Sequence, residues 1–455
     1  MGSVRPNVLL VILDSLRARN TTLSGYHRET TPFLSEFAES ATTYTQARAP
    51  GSRSLPSHAS IFTGHPPQEH GLHTLSERIR PGATAFTRLR DRGYDTGLFT
   101  DNPYVADLDT GLAEGFDRVY NNRDVFEAGL SPAAFVEEAG LDYWEFLRAV
   151  VQNDAPLKSL WNGIAWTAKW RTGGWFVEQS VFTPGFEYAT SFREWRRGQD
   201  GPWAACVNLM DTHVPFRPGD EYDQWQTAES RSVRQSAAVT DAAPSEQWKY
   251  GLELNAYDGT IRQADAVVEQ IVESLASDGV LDDTLVIVTS DHGEAFGERR
   301  EYDGHTDSGH GNSVEESVLH VPLICKRPGQ TTGSRETEPV SLTAVPAEVL
   351  SVVDGADGGF GTSDAVVAGA RIDGDDVHVV YESADTGVRK FVVSEAESYT
   401  EAIPTPAVSY RSDDGVPERV HRTVDSLADA GVTQTSDAEV DTATQQRLSA
   451  LGYTE

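Results

Sequence analysis

Asn7-Val8-Leu9-Leu10-Val11-Ile12-Leu13-Asp14 sets six consecutive apolar residues against a terminal carboxylate. A short apolar run without alternation reads as a β-strand buried on both faces, the environment of a parallel sheet. Residues 96–100, 203–210, 284–289 and 321–325 repeat the pattern, bounded by Asp, Gly or Pro. Helical patterns lie between them, at 32–40, 85–92 and 261–277. In the last of these Ile261, Ala264, Val268, Ile271 and Leu275 share one face. Strands alternating with helices predict an α/β fold, with a large, mostly parallel central sheet flanked by helices. Such sheets collect ligands at the carboxyl ends of their strands, which is where Asp14 stands.

At 455 residues the chain is long enough for a large core, and its 38% hydrophobic content excludes a disordered or fibrous protein. No apolar run approaches the ~18–20 residues that span a bilayer. The opening residues lack the long apolar region and small-residue cleavage site of a secretory signal, so a soluble, cytoplasmic protein without stable membrane insertion is expected. Cys206 and Cys325 both sit in apolar runs and read as buried small hydrophobes. Acids outnumber bases by 70 to 37, for a formal charge of −33, and only five of the basic residues are lysines. That balance excludes binding to a nucleic-acid backbone. The acids are dispersed, and an acid-rich, lysine-poor surface is a halophile signature, so unfolding at low salt is expected.

Two regions depart from the alternating pattern. All nine tryptophans lie between Trp144 and Trp248, six of them up to Trp195. They mark an insertion at about 130–200, read as a helical cap with its own small core or as a lid that stacks on a sugar or aryl group. Beyond residue 360, runs at 377–381 and 388–393 suggest paired strands of a small C-terminal α+β unit ending in a helix at 443–451. The expected division is a catalytic α/β domain at 1–360 and a small subdomain at 361–455.

Four pieces of sequence carry chemistry. Asp14 can ligate a hard cation or cap the next helix. In Ser54-Leu55-Pro56-Ser57-His58, either serine can cap a helix opened by Pro56. A hydroxyl at a helix N-terminus can also serve as a nucleophile where an anionic ester docks. Ser290-Asp291-His292-Gly293-Glu294 follows a strand and offers adjacent oxygen and nitrogen ligands. His213 and His310 lie in loops, where a histidine is solvated unless the fold gathers it into a site.

These pieces together resemble the sulfatases of the alkaline phosphatase superfamily. The likeness rests on residues 5–14, the signature-like stretch from Ser54 to Thr63-Gly64, His213-Val214-Pro215-Phe216, the Tyr257 to Asp265 helix, residues 284–293, Val321-Pro322-Leu323-Ile324 and the terminal Leu451-Gly452-Tyr453. It implies an alkaline-phosphatase-like sandwich and one divalent metal held by Asp14, Ser54, Asp291 and His292. Ser54 would be the nucleophile or the precursor of formylglycine, His213 would protonate the leaving alkoxide, and His310 would bind the ester oxygens.

His58 stands where the family signature has arginine and joins the catalytic set. Ser15 replaces a second aspartate. His292 replaces a common asparagine, which tilts the metal from calcium or magnesium toward manganese or zinc. The resemblance implies hydrolysis of a small-molecule or glycan sulfate ester. The Asp/Ser/Asp/His set also resembles phosphonate-ester hydrolases and phosphoglycerol transferases, in which an unmodified serine attacks phosphorus. A non-catalytic ligand-binding homologue is the remaining reading.

Overall fold

The computed structural model describes residues 5–121, 143–153, 156–157, 159–160, 184–228, 230–231, 248–298, 308–361, 365–372, 374–405, 408–412 and 414–436. Eight strands form one sheet in the order Ser334–Glu336, Thr42–Tyr44, Leu323–Lys326, Thr284–Thr289, Asn7–Leu13, Trp203–Leu209, Asp95–Phe99, Arg118–Tyr120. At its centre Val8 lies opposite Ala204 on one side and Leu285 on the other, both in parallel register. Asp95–Phe99 runs parallel to Trp203–Leu209, so four neighbouring strands end on the same side. The central strands are buried along nearly their whole length, which is why they read as unbroken apolar runs.

The sheet is mixed. Leu323–Lys326 runs antiparallel to both Thr284–Thr289 and Thr42–Tyr44. Because Leu323–Lys326 is antiparallel to Thr284–Thr289, the chain re-enters the sheet from the side on which it left. The intervening loop carries Asp291, His292 and His310.

Val8, Leu10 and Ile12 face a core layer with Ala59, Ile61 and Phe62 of helix Ser54–Thr63, Phe86 and Leu89 of helix Ala85–Asp91, and Val349 of helix Val345–Val353. On the opposite side helix Gly185–Arg197 brings Phe192 and Trp195 edge-on to Phe99, at 5.7 and 5.6 Å between ring centroids. Gly97 makes this possible, because a Cβ there would sit 3.0 Å from the Trp195 ring. Helix Trp248–Ser277 begins well before residue 261. Gly251 and Asn255 weaken the local helix signal, but Tyr250 and Tyr257 are buried, and that packing outweighs propensity. Cys206 and Cys325 are free and buried.

Residues 366–412 form a five-stranded antiparallel meander, Val366–Ile372, Asp375–Ser383, Val388–Val393, Ser398–Thr405 and Val408–Ser412. Its Val380 and Phe391 pack against Val420 of helix Glu418–Asp425. Val379, Tyr381, Val392 and Ile403 join the main core. The chain divides into two compact units, Met1–Val119 with Pro184–Glu455, and Tyr120–Thr183. Within the second, Tyr143–Gln152 is helical. The expected helix at 443–451, and Trp161, Trp166, Trp170 and Trp175, lie outside the described residues.

A buried charge quartet ties the meander to Glu316 of helix Glu316–Leu319 and to Arg48. Lys390 Nζ lies 3.2 Å from Glu401 and 3.7 Å from Glu316, and donates to the Val314 carbonyl at 2.6 Å. Glu316 also pairs with Arg48 at 2.9 Å and accepts from the Tyr381 hydroxyl at 2.8 Å. Burial alone would push the Lys390 ammonium down, yet Glu401 and Glu316 hold it above its ordinary range. Lys390→Met takes the cation away from the buried Glu401 carboxylate and is expected to cost about 3–5 kcal/mol of stability. Denaturant titration checks this, and an unchanged midpoint would refute the role given to Lys390.

Candidate active site

Four parallel strands deliver their next residues to one place. Asp14 follows Asn7–Leu13, and its carboxylate caps no helix. Instead Oδ2 accepts from Asn102 Nδ2 at 2.9 Å, and Oδ1 from Ser15 Oγ at 3.3 Å. Asn102 follows Asp95–Phe99, and its own Oδ1 takes the Tyr104 N–H, which fixes the orientation of the amide. Thr212, after Trp203–Leu209, donates to the Asp14 carbonyl at 2.5 Å. Asp291 and His292 come after Thr284–Thr289. Ser290 stitches two strand ends together, donating to the Leu13 carbonyl and accepting the Leu16 N–H.

Asp14, Asp291 and His292 are fully buried, and each offers a ligand atom within 4.8 Å of the others. His292 Nδ1–H is taken by the Gly293 carbonyl at 3.0 Å, so Nε2 presents a lone pair. That lone pair lies 3.3 Å from Asp291 Oδ2, a buried oxygen that accepts no hydrogen bond among the described residues. Two facing electron-pair donors in a buried site suit a cation, so the residues present fit a divalent metal. Burial pushes the Asp291 carboxyl up. His292, His58 and the Ser15 and His292 amides outweigh it and hold the group below its ordinary range. Ser15 has a φ of +65°, a conformation that costs a non-glycine residue energy, and its N–H points at Asp291 Oδ1, 3.2 Å away. Tyr257 holds this turn from behind, donating to the Ser15 carbonyl and accepting the Arg17 N–H.

Ser54 opens helix Ser54–Thr63 and is buried. Neither serine acts as a cap. Ser54 Oγ lies 3.2 Å from His292 Nε2, and Ser57 Oγ donates to the Asp291 carbonyl at 2.5 Å. His58, one turn along the helix, donates Nδ1–H back to the Ser54 carbonyl at 2.9 Å and lies 3.5 Å from Asp291 Oδ2. Its Nε2 is buried without a partner among the described residues.

The two loop histidines come together with His292. The His292 and His310 rings stack at 4.3 Å, and His213 meets His310 edge-on at 5.2 Å. His213 gives Nδ1–H to the Val214 carbonyl, and His310 Nδ1 shares a hydrogen bond with Glu294 Oε2 at 3.0 Å. Burial raises the Glu294 carboxyl to about 7. It also lowers His310 to about 4, with the neighbouring His213 pushing the same way.

Every residue singled out from sequence therefore lies in this cluster: Asp14, Ser54, His58, His213, Asp291, His292 and His310. The sequence reading passed over Asn102 and Glu294. Asn102 follows the 95–99 strand at the same sheet end as Asp14, and Glu294 completes the pentapeptide that contains Asp291. Position was the available signal in both.

The sulfatase family profile matches residues 6–356, which span all of these positions. The chain belongs to the sulfatase family. A sulfatase of Formosa agariphila is 21% identical over 382 residues, covering 76% of this chain and 69% of that protein. The phosphonate monoester hydrolase of Silicibacter pomeroyi superposes with a TM-score of 0.62 at 16% identity, over 96% of this chain and 100% of that one. A protein solved with its substrate D-glucosamine-2-N,6-O-disulfate gives 0.60 at 14% identity, over 98% and 97%. At these identities the structural likenesses establish the sulfatase fold, an alkaline-phosphatase-like α/β arrangement with a second, smaller sheet.

Proposed function

We propose that this sulfatase-family protein is a metal-dependent hydrolase of sulfate esters, with Ser54 or the formylglycine made from it as nucleophile. The observation that carries the reading is the Ser54 hydroxyl 3.2 Å from His292 Nε2, beside the buried Asp14 and Asp291 carboxylates. Asp14, Asp291 and His292 would hold the ion, with Ser54 Oγ alongside. A divalent ion bound there supplies positive charge toward the ester oxygens and lowers the pKa of the Ser54 hydroxyl. The N-terminus of helix Ser54–Thr63 adds its own positive end to the place where the ester's charge sits. His213 gives its Nδ1–H to the Val214 carbonyl, which orients the ring for Nε2 to carry a proton to the leaving alkoxide. His310, oriented by Glu294, stands beside it to contact the ester oxygens. Sulfated sugars and small aryl or alkyl sulfates are the substrate classes such a site takes.

A second reading, phosphoester or phosphonate-ester hydrolysis or phosphoryl transfer by unmodified Ser54, is favoured by His58. With His58 in place of the signature arginine, the side chain bonded back to the Ser54 carbonyl is an imidazole rather than a permanent cation. Peptide mass spectrometry across Ser54, on protein from its native host, separates the two. Loss of two hydrogens at Ser54 supports formylglycine and sulfate-ester chemistry. An intact serine transfers the proposal to phosphorus, with phosphodiesters and manganese as the next assay.

A further inference from the structure

Arg53 stands immediately before Ser54 and is half-buried, with its guanidinium turned to the loop that follows His310. Nε donates to the Gly311 carbonyl at 3.3 Å and Nη2 to Asn312 Oδ1 at 2.8 Å. These are its hydrogen bonds among the described residues, and neither acceptor is a carboxylate. Other arginines in the surrounding structure are matched differently: Arg17 pairs with Glu298, Arg28 with Asp258 and Arg48 with Glu316. In a chain with nearly two acids per base, Arg53 faces only neutral acceptors beside the nucleophile. The contact is also built in. Gly311 adopts a φ of +104°, and a Cβ there would sit 2.7 Å from Arg53 Nε. Two tethers fix the plane of the guanidinium while leaving its charge unneutralised, as suits recognition of an oxyanion. Arg53 is also close enough to His310 to disfavour protonation of its ring, after burial and His213.

We propose that Arg53 contacts an anionic oxygen of the substrate and supplies the permanent cation that position 58 lacks. The anion is either on the group being transferred or on an acidic substituent of the leaving group. The role rests on the esterase reading above, but it can be tested without turnover.

Arg53→Gln removes the charge. Asn312→Asp keeps the arginine and sets a carboxylate against it. Arg53→Lys keeps a charge without the planar fork. With the full chain in high salt and a divalent metal, calorimetry measures binding of inorganic sulfate and phosphate. Michaelis parameters are taken for 4-nitrophenyl sulfate, 4-nitrophenyl phosphate and their ring-carboxylated analogues.

For contact with the transferred group, Arg53→Gln and Asn312→Asp each weaken inorganic anion binding by about tenfold to a hundredfold. KM then rises for plain and carboxylated esters alike, and Arg53→Lys recovers part of the loss. For contact with the leaving group, inorganic anions bind as before and only the carboxylated esters lose kcat/KM. Either result supports the proposal. Variants that melt like the parent and stay within twofold of it in every measurement overturn it. Arg53-dependent phosphate binding in a parent that hydrolyses no ester would uphold the contact and sink the esterase reading alone.

Discussion

Asp291→Ala is expected to abolish binding of the divalent ion and to lower turnover by about a thousandfold or more, since a catalytic metal supplies several kcal/mol to the transition state. The expectation follows from the position of Asp291 at the centre of the site. Its Oδ2 faces His292 Nε2, and its Oδ1 receives the Ser15 and His292 amides. Alanine removes a proposed metal ligand and also the acceptor of the Ser15 N–H. Asp291→Asn separates these effects, because the amide oxygen can still accept the two N–H groups while the charge is gone. Metal content by mass spectrometry, together with kcat/KM for both variants, reads the outcome. Substantial turnover in metal-free Asp291→Ala would remove the site assignment.

His213→Ala is expected to depend sharply on the leaving group. General-acid assistance is worth about 10²–10⁴-fold when the departing alkoxide is a strong base. A nitrophenolate leaves without that help, so esters of poor leaving groups should fall by that factor while 4-nitrophenyl esters fall far less. A plot of log kcat/KM against leaving-group pKa would steepen in the variant. Equal losses across the series would show that His213 does not carry the proton, and would point to a positioning role beside His310, whose ring it meets at 5.2 Å.

The centre of the fold was legible because strands at 7–13, 203–209 and 284–289 are buried on both faces and so carry unbroken apolar runs. Asp14, Asp291 and His292 were legible for the same reason, as polar residues that end such runs. The direction of Leu323–Lys326 was not, since an isolated apolar run says nothing of the end from which the chain enters it. The early start of helix Trp248–Ser277 was hidden by Gly251 and Asn255, whose weak propensity is offset only by packing of Tyr250 and Tyr257. Asn102 and Glu294 escaped because each acts on a residue distant in sequence or through one already identified. Asn102 holds Asp14 across 88 positions, and Glu294 holds His310 across 16. The left-handed turn at Ser15 has no signature at all, because serine gives no sign of a positive φ.

The loop ahead of Ser54 and the loop behind His310 both lean on the end of the chain. Gly369 donates its N–H to the Pro50 carbonyl and pairs with Gly51, while Lys390, backed by Glu401, holds the Val314 carbonyl. A ribosome that has released residues 14 to 310 has therefore delivered every candidate catalytic side chain, but not the supports of the two loops that flank the nucleophile. During synthesis the emerging polypeptide must keep a nearly complete α/β core in waiting until about residue 401 clears the exit tunnel. The interval between making the residues and assembling the catalyst is set by roughly ninety codons beyond His310.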